Sequence, residues 1–77
     1  MAIPVHVISA DWTLDKESLQ RIREEVFIIE QHVPREIEWD GEDEHSTHFM
    51  AINEIGEPLG CARLLPSGQI GRMAVLQ

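Results

Sequence analysis

The sequence has no tyrosine, one cysteine and few basic residues, and each shortage excludes something. Lone Cys61 cannot form an intramolecular disulfide, so nothing indicates an oxidising compartment. Six basic residues against 14 acidic ones give a formal net charge of −8. A nucleic-acid partner is therefore not expected, because phosphate binding needs basic groups, and a cationic partner such as an amine is favoured. The absence of tyrosine removes one common general acid.

Long apolar runs and targeting signals are also missing. The stretch from Met1 to Ala10 has no basic flank, and Pro4 and His6 interrupt its apolar residues, so it is not a signal peptide. No run approaches the length of a membrane span. We therefore expect a cytoplasmic protein. A nucleophile elbow, a phosphate-binding loop, a dinucleotide fingerprint and a zinc pattern are all absent as well.

The composition that remains is that of a small globular domain. The chain has 77 residues, of which 43% are hydrophobic and 26% charged. Such a length allows one domain, and a domain of this size buries only about 60% of its unfolded surface. Its stability on its own is therefore expected to be marginal.

The first half of the chain predicts a strand and then a helix. Alternation over Ile3 to Ser9 predicts a strand, with Pro4 at its start. Thr13 or Asp15 can cap the following helix, and Pro34 stops it. Spacings of three and four predict one apolar stripe on this helix, formed by Leu19, Ile22, Val26 and Ile29. Glu30 falls at the edge of the stripe, where it either pairs with Arg23 or reaches water, or serves as a partly buried carboxylate at a site.

Residues 36–44, which we call the acidic segment, hold six carboxylates in nine residues. Most of them are expected to form a solvated loop within the irregular stretch from Val33 to Ser46. The spacing excludes an EF-hand. A metal site built from His45, His48 and an aspartate is only weakly indicated, so no metal is predicted. An acidic rim that attracts and orients an amine is the stronger functional interpretation.

The rest of the chain predicts a three-stranded meander. Its strands are Thr47 to Asn53, Pro58 to Leu65 and Gln69 to Leu76, joined by turns that contain Gly56 and Pro66-Ser67-Gly68. The first of these strands is apolar on both faces and is expected to be central and covered on both sides. Cys61 is expected to be packed and inert. The fold class is thus α/β (α+β), with a helix packed on a mostly antiparallel β-α-β-β-β sheet.

Several short segments together resemble one family. They are Arg23, Val26-Phe27, Glu30-Gln31 with Val33-Pro34, Glu38-Trp39-Asp40, Asp43, His48, Gly60 to Leu64, and Gly71 to Val75. In this order and spacing they resemble the GNAT superfamily of acyl-CoA N-acyltransferases, in its ElaA-like branch. The resemblance runs from Val7 to Gln77 and corresponds to the N-terminal half of that fold.

The resemblance implies a function and a set of site residues. It implies transfer of an acetyl group from acetyl-CoA to a small-molecule, N-terminal or lysine amine. Main-chain groups of Met73, Ala74 and Val75 would bind the pantetheine arm. The helix end and the acidic segment would line the amine side, through Phe27, Glu38 and Asp40. Glu30 is the candidate general base.

The resemblance also implies that one half of the fold is missing. The loop that holds the cofactor pyrophosphate would follow the last strand, and we expect residues 1–77 to form a single truncated domain without it. Activity of the chain alone is therefore in question. The alternative is a non-catalytic half-domain that acts as an interaction module. In it, a second copy would cover either Gln69 to Leu76 or the surface around Phe27 and Ile28, giving a homodimer or oligomer.

Overall fold

The computed structural model describes residues 5–76. Four strands form one antiparallel sheet in the order β1-β2-β3-β4. The strands are β1 His6–Ala10, β2 Thr47–Ile52, β3 Pro58–Leu64 and β4 Ile70–Val75. Between β1 and β2 lie α1 (Lys16–Arg23), a π-helix (Glu24–Glu30), α2 (Arg35–Glu38) and a 3-10 turn (Asp43–His45). The predicted α+β fold is confirmed, while Ile3 and Pro4 of the first predicted strand lie outside the described residues.

Two tight turns order the meander. In the first, the Asn53 side chain accepts hydrogen bonds from the main-chain N–H groups of Ile55 and Glu57 at 3.1 and 2.9 Å. In the second, the N–H of Gly68 donates to the carbonyl of Leu65 at 2.8 Å. Gly68 has φ of +93°, a conformation that side chains with a Cβ rarely adopt. Glycine at this position therefore fixes the register between β3 and β4.

The helical part of the chain packs its apolar side on the sheet. Leu19, Ile22 and Val26 are buried, and the last two contact Ala74 of β4. Ile29, which the sequence placed in the same stripe, is 60% exposed, so that prediction was wrong. The reason is the π-helix, whose wider turns, closed by the N–H of Gln31 and the carbonyl of Val26, carry the fourth position away from the sheet. No helix within residues 5–76 is long and apolar enough to cross a lipid bilayer.

The acidic segment is more ordered than its composition suggests. It contains most of α2 and the start of the 3-10 turn, rather than an irregular solvated loop. Glu38 is 2% exposed and Asp43 is 5% exposed. The other four carboxylates, Glu36, Asp40, Glu42 and Glu44, are exposed, as predicted for most of the segment. Glu38 and Asp43 are the exceptions, because buried arginines pair with them.

The two faces of the sheet are covered differently. His48 and Met50 of β2 are buried beneath the helices, together with Arg63 of β3 and Ala74 of β4. β2 is a central strand, as predicted, because it lies between β1 and β3. Within residues 5–76 nothing packs on the opposite side of the sheet, so the prediction that β2 is covered on both faces was wrong. We call that opposite side the open face. Strand register assigns it Val7, Phe49, Ala51, Ala62, Leu64, Ile70, Met73 and Val75.

Candidate functional site

Six charged side chains form one cluster between the helices, the acidic segment and the sheet. We call it the ion-pair cluster. Its members are Arg23, Arg63, Arg72, Glu38, Asp40 and Asp43. Its three positive and three negative charges cancel. This pairing offsets the desolvation free energy that buried charges would otherwise cost.

Arg23 lies at the centre of the cluster and is 1% exposed. Its Nε donates to Glu38 Oε2 and its Nη1 to Asp43 Oδ1, both at 2.6 Å. The guanidinium carbon lies 4.8 Å from the centre of the Trp39 ring and 5.7 Å from that of Trp12. Carboxylates thus compensate its charge, and the two indoles shield it from water.

Arg63 of β3 holds the acidic segment from the sheet side. Its guanidinium donates to both carboxylate oxygens of Asp40 at 2.9 Å and to Asp43 Oδ1 at 3.1 Å. The two-pronged hydrogen bond from Arg63 holds the pKa of Asp40 well below its usual range. The same contact raises the pKa of Arg63. Both groups therefore stay charged at neutral pH.

Arg72 of β4 reaches the same segment from the last strand. Its Nη2 lies 3.1 Å from Asp40 Oδ2 and 3.2 Å from the carbonyl oxygens of Ile37 and Glu38. Its Nε lies 3.1 Å from Glu38 Oε2, an ion pair rather than a hydrogen bond because the N–H is not directed at the oxygen. The last strand and the acidic segment are thereby joined.

His48 closes the cluster on the side of β2. Its Nε2 lies 2.8 Å from the carbonyl oxygen of Asp43. A carbonyl oxygen only accepts, so this nitrogen carries a proton and donates. The imidazole also stacks on Trp12, with ring centres 4.9 Å apart. His48 therefore supports the cluster, whereas His45 is exposed.

β4 contains a bulge at Arg72. Arg63 pairs with Gly71 and Cys61 pairs with Ala74, so Ala62 alone faces both Arg72 and Met73. Arg72 has φ of +51°, an uncommon value for a residue with a side chain. The extra residue resets the alternation of the strand. As a result Met73 and Val75 point to the open face, and Ala74 points to the helices.

The outer edge of β4 has no neighbouring strand within residues 5–76. The N–H of Leu76 donates to the carbonyl of Leu59 at 2.7 Å, and that of Leu65 donates to Gln69 at 2.9 Å. Hydrogen-bonded and non-bonded pairs alternate in an antiparallel ladder. Counting back from Leu76, Val75 and then Met73 direct their main-chain groups away from β3. Ala74 uses its groups within the sheet.

Comparison with known proteins decides the family. No protein-family model matches the sequence, and no curated protein matches it. Among solved structures, a presumptive N-acetyltransferase from Lactobacillus plantarum matches 94% of this chain with a TM-score of 0.77 at 18% identity. An acyl-CoA N-acyltransferase from Pseudomonas aeruginosa matches 96% with a TM-score of 0.69 at 34% identity. The chain belongs to the GNAT superfamily of acyl-CoA N-acyltransferases. It spans 53% and 55% of those two proteins, about half of each.

In this GNAT chain the predicted cofactor strand and two predicted amine-side residues lie together. Arg72 precedes Met73 in β4 and contacts both Glu38 and Asp40. Phe27 is half-buried and packs against the core that includes Ala74. The carboxylates of Glu38 and Asp40, however, are already paired with arginines, so their roles at the amine remain predictions.

Glu30 lies apart from this grouping. It is exposed at the end of the π-helix. The expected alternative, a pair with Arg23, is not formed, because Arg23 is fully engaged with Glu38 and Asp43. Its predicted role as a general base stays untested.

Sequence reasoning missed three members of the site. Trp12, Arg63 and Arg72 were given no role, although each contacts the cluster or its neighbours. A usable signal was present: three arginines on apolar elements cannot be buried without three carboxylates, and the acidic segment offers six. Within residues 5–76, no three histidine, cysteine or acidic side chains are grouped as metal ligands.

Proposed function

We propose that this chain is the acyl-CoA-binding half of an N-acyltransferase that transfers an acetyl group from acetyl-CoA to an amine. The observation that carries the proposal is the outer edge of β4, where the main-chain groups of Met73 and Val75 are directed away from the sheet. An extended pantetheine arm carries amide groups, and it can pair with such an edge as an added strand would. The 34% identity with an acyl-CoA N-acyltransferase over 96% of this chain supports the same choice.

The reaction would join an amine nitrogen to the acyl carbon. The neutral amine attacks the thioester carbonyl carbon, the carbon–sulfur bond breaks, and coenzyme A leaves as its thiol. The amine loses one proton to a carboxylate or water, and the leaving sulfur gains one. An outward N–H of β4 would polarise the thioester carbonyl. Glu30 is the proposed proton acceptor on this chain, and Phe27 would contact the amine substrate.

Charge in the acidic segment is consistent with an amine substrate. Glu36, Glu42 and Glu44 are exposed, and they provide negative charge that the arginines do not neutralise. Glu38 and Asp40 would act indirectly, by holding the segment beside β4. We thus propose that the amine side is an exposed acidic rim, supported from below by carboxylates that are paired with arginines.

Calorimetric titration of acetyl-CoA into the 77-residue chain tests the proposal. We expect saturable binding in the micromolar range. Val75→Pro removes one outward N–H without removing a bond to β3, so it should weaken binding about fivefold, the effect of losing a hydrogen bond of about 1 kcal/mol. Val75→Ala keeps that N–H and is the matched control. A folded chain that gives no saturation at millimolar acetyl-CoA would refute the proposal.

Self-association is a second candidate function, favoured by the exposure of the open face. Val7 of β1 and Ile70, Met73 and Val75 of β4 are 71%, 64%, 70% and 71% exposed. They lie at opposite edges of the open face, with Phe49 and Ala62 between them. Contiguous apolar surface of this kind marks interaction sites, and an unpaired edge strand adds to it. Residues 1–77 would then form a single half-domain whose partner is a second copy.

Light scattering across a dilution series tests this candidate. Ile70→Lys places a charge on the open face and should shift a dimer towards monomer. Ile55→Lys is the matched control, because Ile55 is 80% exposed but lies in the turn between β2 and β3. A chain that is monomeric at all concentrations, or two variants that behave alike, would exclude self-association through this face.

A further inference from the structure

The bulge in β4 decides which atoms the outer edge presents. One extra residue, Arg72, separates Gly71 from Met73. Without it the alternation would slip by one position, and every later side chain would change faces. Met73 and Val75 would turn towards the helices, and the main-chain groups of Ala74 would replace theirs at the outer edge. The proposed acyl-CoA strand therefore depends on a single irregular residue.

That residue has a conformation it does not favour. Positive φ is uncommon for arginine and costs free energy unless the surroundings enforce it. The surroundings here are the contacts of its guanidinium with Glu38, Asp40 and the carbonyl of Ile37. In addition, Cys61 Sγ donates to the Arg72 carbonyl oxygen at 3.3 Å. Side chain and main chain of Arg72 are thus both held.

We propose that Arg72 is a positioning residue for acyl-CoA, because its anchored guanidinium holds the bulge that aims Met73 and Val75 at the outer edge. The inference rests on the proposed function. It adds that the amine side and the acyl side of the site are joined through this one side chain. A displacement of the acidic segment would then be transmitted to the strand that binds the pantetheine arm.

Substitutions at Arg72 separate the anchor from the backbone conformation. Arg72→Ala removes the anchor and keeps the cost of positive φ, so the bulge should relax. Arg72→Gly removes the anchor but accepts positive φ freely, so the bulge should be retained more often. Arg72→Lys keeps the charge but cannot reproduce the forked contacts. Arg21→Ala is the matched control, because the Arg21 side chain is 74% exposed.

Two measurements on the 77-residue chain report the outcome. One is the affinity for acetyl-CoA. We expect about a tenfold loss or more for Arg72→Ala, since small displacements of positioning groups have effects of this size, with smaller losses for Arg72→Gly and Arg72→Lys. The other is the rate at which hydrogen peroxide oxidises Met73, which should fall in Arg72→Ala as the side chain turns inward. A merely structural role would lower the melting temperature without changing that rate.

The outcomes are distinguishable. If the unsubstituted chain binds acetyl-CoA and Arg72→Ala binds it as tightly as Arg21→Ala does, the inference is overturned and the proposed function stands. If the unsubstituted chain does not bind, both fail. If Arg72→Ala does not fold, Arg72→Lys decides through the same two measurements, because lysine keeps the cost of positive φ but lacks the forked contacts. Equal affinity and equal Met73 oxidation in Arg72→Lys and Arg21→Ala would then overturn the inference.

Discussion

The two faces of the sheet are built on opposite principles. Beneath the helices lie an apolar core around Ile22, Val26 and Ala74 and, beside it, a neutral cluster of three arginines and three carboxylates. The open face carries only apolar and small side chains, and several of the largest are exposed. The covered face is held by specific pairings that tolerate little change. The open face is hydrophobic and has no such pairing, so another protein element can pack on it without first breaking ion pairs or hydrogen bonds.

Removing Arg23 is the most severe test of the covered face. Arg23→Ala leaves two buried carboxylates short of a partner, and breaking a buried ion pair from one side costs about 3–5 kcal/mol. A 77-residue domain has little stability to lose, so we expect this variant to be largely unfolded at room temperature. Urea unfolding followed by circular dichroism measures the change. Arg21→Ala, at an exposed pair, should remain within about 0.5 kcal/mol of the unsubstituted chain. Similar midpoints for the two variants would contradict the role given to the cluster.

The reactivity of the Cys61 thiol measures how well the covered face is shielded from water. Burial raises the pKa of its thiol from 9.0 to about 11. Only the thiolate reacts with alkylating reagents, so at pH 8 the native chain should react about 100-fold more slowly than a thiol of ordinary pKa. Alkylation by iodoacetamide with and without urea, followed by mass spectrometry, checks this. Equal rates in the two conditions would show that the thiol is not shielded.

The methionines compare the two faces directly. Met50 is 6% exposed on the covered face, and Met73 is 70% exposed on the open face. Hydrogen peroxide should therefore oxidise Met73 about tenfold faster or more, as expected for oxidation that follows exposure. Mass spectrometry of tryptic peptides gives both rates from one sample. Slow oxidation of Met73 at high protein concentration that becomes fast on dilution would instead show a second copy on the open face.

Acid should weaken the covered face through Asp40. Its folded-state pKa is depressed by Arg63 below the ordinary value of 3.8. A depressed pKa adds stability above the unfolded value, and that stability is lost as the pH falls below about 4 towards the folded pKa. Asp40→Asn should therefore lower stability at pH 7 and reduce its loss on acidification. Melting temperatures of Asp40→Asn and of the unsubstituted chain, measured from pH 7 to pH 2, test this. If both melting temperatures fell in parallel with pH, Asp40 would not be the group responsible.

Local patterns predicted the elements of this fold well but could not predict their long-range pairing. Alternation and turn residues placed the strands of the meander within a residue or two, because Pro66, Gly68 and the apolar runs act locally. Helical spacing failed at Ile29, because nothing in a window of that length distinguishes a π-helix from an α-helix. The resemblance led to the family and to the last strand.

The ion-pair cluster shows why the site could not be predicted from local sequence patterns: its partners are far apart in the chain. Arg23 and Glu38 are 15 residues apart, and Arg72 and Asp40 are 32 apart. A neighbouring carboxylate such as Glu30 was therefore the natural partner to choose for Arg23. The direction of the Met73 and Val75 main chain depends on one bulge, which a strand pattern does not mark.

The neutrality of the ion-pair cluster has an electrostatic consequence for assembly. The cluster pairs three of the six basic residues with three of the 14 acidic ones. The remaining three basic and eleven acidic residues therefore carry the whole net charge of −8. An uncharged open face thus belongs to a strongly anionic particle. Two copies would repel each other until salt shortens the range of that repulsion, to about 10 Å at 0.1 M. Ionic strength, rather than any conformational change, would then determine how readily two copies associate through the open face.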